Sequence, residues 1–337
     1  MTDVSAETLL ALLRAIRGCQ VAVIGDLLAD EFIYGRVERV SREAPVLILR
    51  YDQTIVVAGG AGNAAANAAS LGGVVRLAAL AGRDDVGRRL LRSLPKRVSR
   101  DAILQPPGHH TPVKTRILAG GVHSAKQQVV RIDRIVPADL PDRLRAQFVK
   151  AARGAARGAD AVVFSDYGSG LVTPALVADV RDSLQGRRVP ILLDSRHDTL
   201  RDRGLTACTP NESEVEQMLG VSIDDSPKVL ERAGRTLLKR TGMQAVLVTR
   251  GSRGMALFEP GRPTGHIAIF GSDEIADVTG AGDTVIATVT MALAAGASFY
   301  EAARLANYAG GIVVMKRGTA TVTPDELRAA MQRDPRA

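Results

Sequence analysis

Short apolar runs, each bounded by turn residues, alternate with helical patterns along most of this 337-residue chain. Apolar runs occupy 20–25, 76–81, 161–165, 190–194 and 245–249. Helices are predicted at 61–71, 86–94, 140–157, 174–184, 212–219 and 227–241. Because buried parallel strands are apolar on both faces, this alternation predicts an α/β fold: a doubly wound, mostly parallel sheet flanked by helices.

Two other segments, 32–57 and 112–133, alternate in a strand-like manner and carry no long helices. They predict a small β-sheet lid inserted into a single domain that spans residues 1–337. Near the end, 285–295 and 299–315 are predicted to be apolar helices, and Thr323-Pro324-Asp325-Glu326 is typical of the start of a last helix.

Composition excludes several classes of protein. Apolar stretches are interrupted well before the roughly 18 residues of a membrane span, and residues 1–18 carry charges where a signal peptide would be apolar. A cytoplasmic protein without a membrane partner is expected. Cys19 and Cys208 lack CxxC spacing and the five histidines form no HExxH, so no metal site built from protein ligands is predicted. The net charge of +8 comes from dispersed arginines. Dispersal favours a solvated surface over a nucleic-acid partner.

The most informative motif is the run Thr-Gly-Ala-Gly-Asp-Thr at 279–284, directly before the predicted helix 285–295. The first-turn amides of a helix bind anions. Asp283 would stand beside such an anion and accept a proton from a hydroxyl, while the amides of Gly280, Ala281 and Gly282 stabilise a transferring γ-phosphoryl group. The alternative is an ordinary glycine-rich turn in which Asp283 caps the helix.

Asn211 and Glu214 stand three residues apart at the start of the predicted helix 212–219. This spacing is typical of a capping box. Next to a phosphate-binding turn, an amide and a carboxylate on one helical edge can also hold a triphosphate and the waters of Mg²⁺. The turn at 249–254 and the run 194–196 both follow predicted strands, at the sheet edge where ligands bind. Their candidate nucleotide-cleft residues are Asp194, Thr249, Gly251 and Gly254.

A third motif, Gly-Gly-Ala-Gly-Asn at 59–63, opens the predicted helix 61–71. Gly60, Gly62 and Ala65 satisfy the dinucleotide fingerprint G-x-G-x-x-A, which admits an NAD-dependent oxidoreductase as an alternative. However, the strand 76–81 has no acidic residue at its end before Asp84. We favour the interpretation that these backbone amides and Asn63 approach a polyhydroxylated substrate.

Polar residues near the lid complete the candidate set. Asp26 and Asp30 follow the first strand, where carboxylates can accept hydrogen bonds from sugar hydroxyls or simply cap a turn. A cluster of basic residues occupies the second lid segment; a phosphate on the substrate or a solvated strand face would explain it. Its members are Lys114, Arg116, Lys126, Arg131 and Arg134.

Together, these residues resemble the ribokinase-like, or PfkB, family of carbohydrate kinases, from Val21 to about Thr323. The resemblance rests on the glycine motif at 59–63 with Leu71-Gly72, and on Asp-Val-Thr-Gly-Ala-Gly-Asp at 277–283. It implies an ATP-dependent kinase that uses ATP and Mg²⁺. The implied roles are Asp283 as catalytic base, Gly280 to Gly282 as anion hole, Asn211 and Glu214 at ATP and Mg²⁺, Gly251 and Asn307 beside the nucleoside, and Asp26, Gly60 and Asn63 at the sugar.

Within that family the sequence is similar to the heptose 7-phosphate kinases of lipopolysaccharide core biosynthesis, through segments such as 41–46, 127–133, 165–167 and 209–211. This implies D-glycero-β-D-manno-heptose 7-phosphate as substrate in ADP-heptose synthesis, with a homodimer joined through the β lids. The further substrate contacts expected are Gly59, Lys126, Arg131, Asp166 and Asp194. Bifunctional relatives carry a nucleotidyltransferase domain after the kinase, and a stand-alone kinase is expected here. The alternatives are another PfkB-type sugar or sugar-phosphate kinase, the oxidoreductase and a nucleic-acid binder.

Overall fold

The fold was analysed in a computed structural model that describes residues 4–120, 126–137, 140–184, 186–195, 199–200, 204–224, 226–271 and 277–334. Its helices are α1 Ala6–Ala15, α2 Ala61–Ser70, α3 Asp85–Ser93, α4 Asp142–Ala156, α5 Pro174–Ser183, α6 Glu212–Leu219, α7 Pro227–Thr241, α8 Ala281–Ala294, α9 Phe299–Val313 and α10 Pro324–Arg333. Its strands are β1 Gln20–Gly25, β2 Leu27–Val40, β3 Leu47–Gly60, β4 Val74–Leu80, β5 Val98–Ser99, β6 Ile103–Leu104, β7 Val113–Gly120, β8 Gln127–Arg134, β9 Ala161–Asp166, β10 Ile191–Ser195, β11 Ala207–Cys208, β12 Ala245–Thr249, β13 Met255–Phe258 and β14 Gly265–Ile267.

The main sheet has the order β14-β13-β12-β11-β10-β9-β1-β4-β5, and β6 pairs with β4. Its strands are parallel from β12 to β5, and β13 and β14 add an antiparallel edge. One face packs against α1, α2, α8 and α9 in one apolar cluster, and the other packs against α4, α5 and α7 in a second. The predicted doubly wound, mostly parallel sheet is therefore confirmed.

The strand order reverses beside β1, which pairs with β4 on one side and with β9 on the other. In open α/β sheets, ligands bind outside the carboxyl ends of the strands at such a reversal. Asp26 directly follows β1, and its N–H donates to the carbonyl of Ser165 in β9 at 2.9 Å. The sheet topology therefore places Asp26 and the residues after β9 at the favoured ligand-binding edge.

The predicted small β lid is a separate four-stranded sheet of order β3-β2-β7-β8. It extends further than the predicted 32–57 and 112–133, since β2 begins at Leu27 and β3 runs to Gly60. The lid therefore joins β1 and α2 directly, and its base reaches the ligand-binding edge. Residues 121–125 of the second lid segment lie outside the described residues.

The helix that follows the 279–284 motif begins at Ala281, earlier than the predicted 285–295. Asp283 is therefore inside its first turn. Among the described residues, none of the helices has both the length and the apolar composition needed to cross a bilayer. A single domain over residues 1–337 stays a prediction.

Candidate active site

Asp283 is the centre of the candidate site. Its side chain is 3% exposed in the first turn of α8. Its Oδ2 accepts a hydrogen bond from Asn63 Nδ2 at 2.9 Å, and its Oδ1 accepts one from the Tyr167 hydroxyl at 2.8 Å. Two donors from different elements thus fix the orientation of a buried carboxylate.

Gly280 forms the turn that starts α8. It has φ 77° and ψ 7°, the left-handed region that favours glycine. A Cβ at this position would overlap Asn63 Nδ2, which donates to the Gly280 carbonyl at 3.2 Å. The close approach of Asn63 to the helix start therefore requires glycine here.

A cavity of about 360 Å³ lies in front of this helix start. Gly280, Ala281, Gly282 and Asp283 form one wall. The first-turn amides and the positive end of the α8 dipole favour an anion at this wall, although the Ala281 N–H also donates to the Val278 carbonyl at 3.2 Å. The other predicted residues that line the cavity are Asp194, Asn211, Glu214, Thr249, Gly251, Gly254 and Asn307.

Asn211 and Glu214 form the capping box that their spacing allows. The Asn211 side chain accepts the Glu214 N–H at 2.9 Å, and the Glu214 carboxylate accepts the Asn211 N–H at 2.9 Å. Both residues also line the cavity. The cap and the proposed nucleotide role are therefore compatible, because the reciprocal bonds hold both side chains at the cavity edge.

The wall at 249–254 is held by an ion-pair cluster. Glu212 pairs with Arg250 at 2.7 Å and also with Arg253. Asn307, which also lines the cavity, is fixed by its Nδ2, which donates to the Ala268 carbonyl at 2.9 Å. These contacts hold parts of the cavity wall in place.

A second cavity, of about 260 Å³, lies at the base of the lid. Asp26 lines it, accepting the Tyr167 N–H at 2.7 Å and the Ser169 hydroxyl. Burial raises the pKa of Asp26, and the Ser169 hydroxyl opposes that rise. In the described part of the chain, the basic residues around this cavity are His109, Lys114, Arg131 and Arg134. This combination of a carboxylate and several cations suits a ligand with both hydroxyl groups and a phosphate.

The glycine motif at 59–63, which includes the predicted substrate residues Gly59, Gly60 and Asn63, lines neither cavity but contacts residues that do. Gly60 has φ 59°, and a Cβ on it would overlap the Asp26 carbonyl, which accepts the Ala61 N–H at 2.9 Å. A Cβ on Gly59 would overlap the Asp30 carboxylate. The strand before the motif, β3, pairs antiparallel with β2 in the lid, whereas a dinucleotide fingerprint requires the strand of a βαβ unit. The motif therefore lacks the context of a nicotinamide site.

Other predicted substrate residues lie apart from the second cavity. Asp194 lines the first cavity instead. Asp166 accepts the Gly168 N–H at 2.9 Å and the Ser195 hydroxyl at 2.8 Å, so it shapes the loop after β9. Position 196 lies outside the described residues.

The predicted cationic cluster is divided. Lys126 pairs with Asp52 over the Tyr34 ring, away from the second cavity, whereas Arg131 lines that cavity. Arg116 is buried in an ion pair with Asp30, whose other oxygen accepts the Thr319 hydroxyl at 3.0 Å.

Tyr167 and His109 line the second cavity, and the sequence patterns indicated no role for either. Tyr167 also lines the first cavity. Its position two residues after the predicted strand 161–165, at the same sheet edge as Asp26, is the available signal. His109 offered none, because it lies in a Pro/Gly-bounded loop whose path depends on tertiary packing.

The family model for pfkB family carbohydrate kinases matches residues 20–326. The chain belongs to this family, and it is an ATP-dependent sugar kinase. This membership decides against the oxidoreductase alternative.

Among curated proteins, the chain is 40% identical over 311 residues to the Bifunctional protein HldE of Trichlorobacter lovleyi, covering 92% of this chain and 62% of that protein. It is 39% identical over 326 residues to the Bifunctional protein HldE of Caulobacter vibrioides, covering 96% of this chain and 65% of that protein. The chain thus spans less than two thirds of the length of these relatives.

Solved structures show the same fold. An Arabidopsis thaliana ribokinase complexed with ribose and ATP matches with a TM-score of 0.71 at 20% identity, covering 94% of this chain and all (100%) of that one. Phosphofructokinase-2 of Escherichia coli in complex with fructose-6-phosphate matches with a TM-score of 0.72 at 16% identity, covering 94% and 98%. The ribokinase-like fold is confirmed.

Proposed function

We propose that this chain transfers the γ-phosphoryl group of ATP to the anomeric hydroxyl of D-glycero-β-D-manno-heptose 7-phosphate, giving the 1,7-bisphosphate and ADP in ADP-heptose and lipopolysaccharide core biosynthesis. The observation that carries the proposal is the place of Asp283, in the first turn of α8 on the wall of the first cavity and joined by Tyr167 to the second. The first cavity is the nucleotide cavity in this proposal, and the second is the sugar cavity.

The proposed chemistry needs one carboxylate and one anion-binding helix end. The sugar hydroxyl oxygen forms a bond to the γ-phosphorus while the bond from that phosphorus to the ADP oxygen breaks, and the hydroxyl proton passes to Asp283. The amides at the start of α8 stabilise negative charge on the transferring group. Burial of Asp283 supports the role, because a water-excluded site strengthens these electrostatic interactions.

Mg²⁺ fits the nucleotide cavity by its donor chemistry. Asp194, Asn211 and Glu214 place carboxylate and amide oxygens on the cavity walls, and such oxygens bind Mg²⁺ directly or through its waters. The ion would neutralise charge on the phosphates of ATP.

The sugar cavity supports a phosphorylated substrate. Lys114, Arg131 and Arg134 supply positive charge, and Asp26 supplies acceptors for sugar hydroxyls. Arg131 is itself held by Asp133, through contacts of 3.0 and 3.1 Å. Because that pair neutralises part of its charge, we expect several cations together to hold the phosphate.

The homodimer is proposed to form through the lids. Large apolar side chains on the lid strands are exposed, among them Val40 at 59%, Tyr51 at 64% and Ile132 at 51%. Light scattering should give twice the chain mass of 35.6 kDa, and Ile132→Lys should lower the mass toward that of the monomer. A wild-type protein with the monomer mass at micromolar concentration would contradict the proposed dimer.

The test of the chemistry is Asp283→Asn, which keeps the shape of the side chain and removes its basicity. Sugar-dependent ADP release should fall by a factor of about 10² to 10⁴, while the nucleotide still binds. Asn211→Ala is the matched comparison, since it should weaken ATP binding and leave the base in place. Near-normal turnover of Asp283→Asn would refute the assignment. Equal kcat/KM for heptose with and without the 7-phosphate would refute the proposed substrate.

A further inference from the structure

Tyr167 stands at the junction of the two cavities and lines both. Its backbone N–H donates to Asp26 at 2.7 Å. Its ring lies below Lys114 Nζ, which is 4.8 Å from the ring centroid, and beside Gly60. The end of β1, lid strand β7 and the start of α2 therefore fix the position of the ring.

The hydroxyl of this fixed ring donates to Asp283 Oδ1 at 2.8 Å, while Asn63 donates to Oδ2. We propose that Tyr167 is a positioning residue that holds Asp283 for the acceptor hydroxyl and prevents water from taking the acceptor's place when no sugar is bound. The inference rests on the proposed function of Asp283 as base.

The geometry supports both the positioning of Asp283 and the exclusion of water. A carboxylate oxygen can accept more than one hydrogen bond, so a sugar hydroxyl can donate to Asp283 beside the Tyr167 hydroxyl. Without the sugar, the phenol oxygen fills space next to Oδ1 that a water would otherwise occupy. Such a water would support hydrolysis: its oxygen bonds to the γ-phosphorus, the bond from that phosphorus to ADP breaks, and the water proton passes to Asp283. Because the phenol proton already bonds to the carboxylate, a water is less able to bind beside Oδ1 and attack the γ-phosphorus.

Tyr167→Phe separates this role from packing, because it keeps the ring and removes only the oxygen. The sugar-dependent kcat should fall about tenfold or more, the loss expected for one hydrogen bond to a charged group. The KM for ATP should stay within about twofold, since the hydroxyl contacts Asp283. The ratio of sugar-independent ATP hydrolysis to phosphoryl transfer should rise about tenfold.

Tyr308→Phe is the matched control. The Tyr308 hydroxyl also donates to an aspartate, Asp334 Oδ2, at 2.9 Å, but Tyr308 packs in α9 against Phe270. Its removal should leave kcat and the hydrolysis ratio unchanged. Thermal melts of both variants provide a check on folding.

The outcomes distinguish this inference from the proposed function. If Asp283→Asn is inactive and Tyr167→Phe matches the wild type in both kcat and hydrolysis ratio, the inference is overturned and the base assignment stands. If Asp283→Asn retains turnover, the base assignment fails and the inference fails with it. An unchanged hydrolysis ratio with a lowered kcat would overturn the part that concerns water.

Discussion

Gly280→Ala tests whether the helix start and the base are held by one set of contacts. Gly280 has φ 77°, and an added Cβ would overlap Asn63 Nδ2 and lie 3.3 Å from Thr319 Cγ2. Asn63 does not move easily, since it is 1% exposed and is bonded to Asn67, whose Nδ2 donates to Asn63 Oδ1 at 3.0 Å.

The expected loss of stability has two parts. An alanine in the left-handed region costs about 1–2 kcal/mol. Displacing the Asn63 amide removes its hydrogen bond to the Asp283 carboxylate, which is worth about 1.5–3 kcal/mol. Because the chain can relax, we expect a total loss of about 3 kcal/mol in the free energy of unfolding.

Gly282→Ala is the control in the same turn. Among the described residues, nothing lies within 4 Å of a Cβ at Gly282, and its φ is not positive. Alanine should therefore stabilise the helix by about 0.5 kcal/mol, although its methyl group lines the nucleotide cavity and should raise the KM for ATP. Urea unfolding followed by circular dichroism measures the stabilities, and ADP release measures turnover.

Gly280→Ala should lose stability and kcat together, because the displaced Asn63 side chain contributes to both losses. If the two alanine variants differ by less than about 0.5 kcal/mol in unfolding free energy, the turn does not need glycine as argued. If Gly280→Ala is destabilised but keeps its kcat, Asn63 does not control the base.

Three further predictions follow from the surroundings of single residues. Arg131→Ala should raise the KM for a phosphorylated sugar more than the KM for its unphosphorylated counterpart, because Arg131 lines the sugar cavity. Lys126→Ala should change the two KM values equally, because Lys126 pairs with Asp52 away from that cavity. Steady-state kinetics measure these values, and equal effects of Arg131→Ala on both sugars would contradict a contact of Arg131 with the phosphate. Burial raises the pKa of the Cys208 thiol, so Ellman's reagent should reach Cys208 only after unfolding, and rapid labelling in the native protein would contradict this. Burial also raises the pKa of Asp26, so the folded chain holds this proton more tightly than the unfolded chain and the wild type loses stability as the pH rises from about 4 through the raised pKa. Asp26→Asn lacks this loss, so its unfolding free energy should rise relative to that of the wild type over the same pH range. Urea titrations at several pH values measure this difference, and a difference that does not change with pH would contradict the prediction.

The parallel sheet could be predicted because its signal is local. Strands such as β1 and β12 are buried on both faces, so they appear as continuous apolar runs, and both have the predicted bounds. Helices α6 and α7 also match, since each begins at a capping residue and ends at a left-handed glycine, Gly220 or Gly242. Two-residue strands such as β5 and β11 carry no periodicity and could not be predicted.

The sequence predicts a start of α8 that is too late, for a physical reason. Gly280 and Gly282 disfavour helix, so propensity favours a start at the apolar residues that follow. In the structure, the contacts of Asn63 and Asp283 hold this turn in helical form. Tertiary packing overrides propensity at the position where the helix end is proposed to bind an anion.

The division of the basic cluster also depends on tertiary contacts. Arg116, Lys126 and Arg131 are equivalent by sequence, since each lies on or beside a predicted lid strand. Arg116 is buried in an ion pair with Asp30, and Lys126 is paired with Asp52, so neither faces the sugar cavity. The acidic partners that hold Arg116 and Lys126 are distant in sequence, and no local pattern reports them.

The sequence assigns the two glycine motifs to different ligands, one to the sugar and one to phosphate, yet hydrogen bonds join them in the structure. Gly60 lets the Ala61 N–H reach the Asp26 carbonyl, which sets where α2 begins. Asn63 follows within the first turn of α2 and donates to Asp283. The position of the proposed base is therefore coupled, through these two hydrogen bonds and the first turn of α2, to the backbone of Asp26, whose carboxylate is proposed to bind the sugar. A substitution that moves the end of β1 should disturb both at once, which is why sugar binding and phosphoryl transfer are not expected to vary independently in this chain.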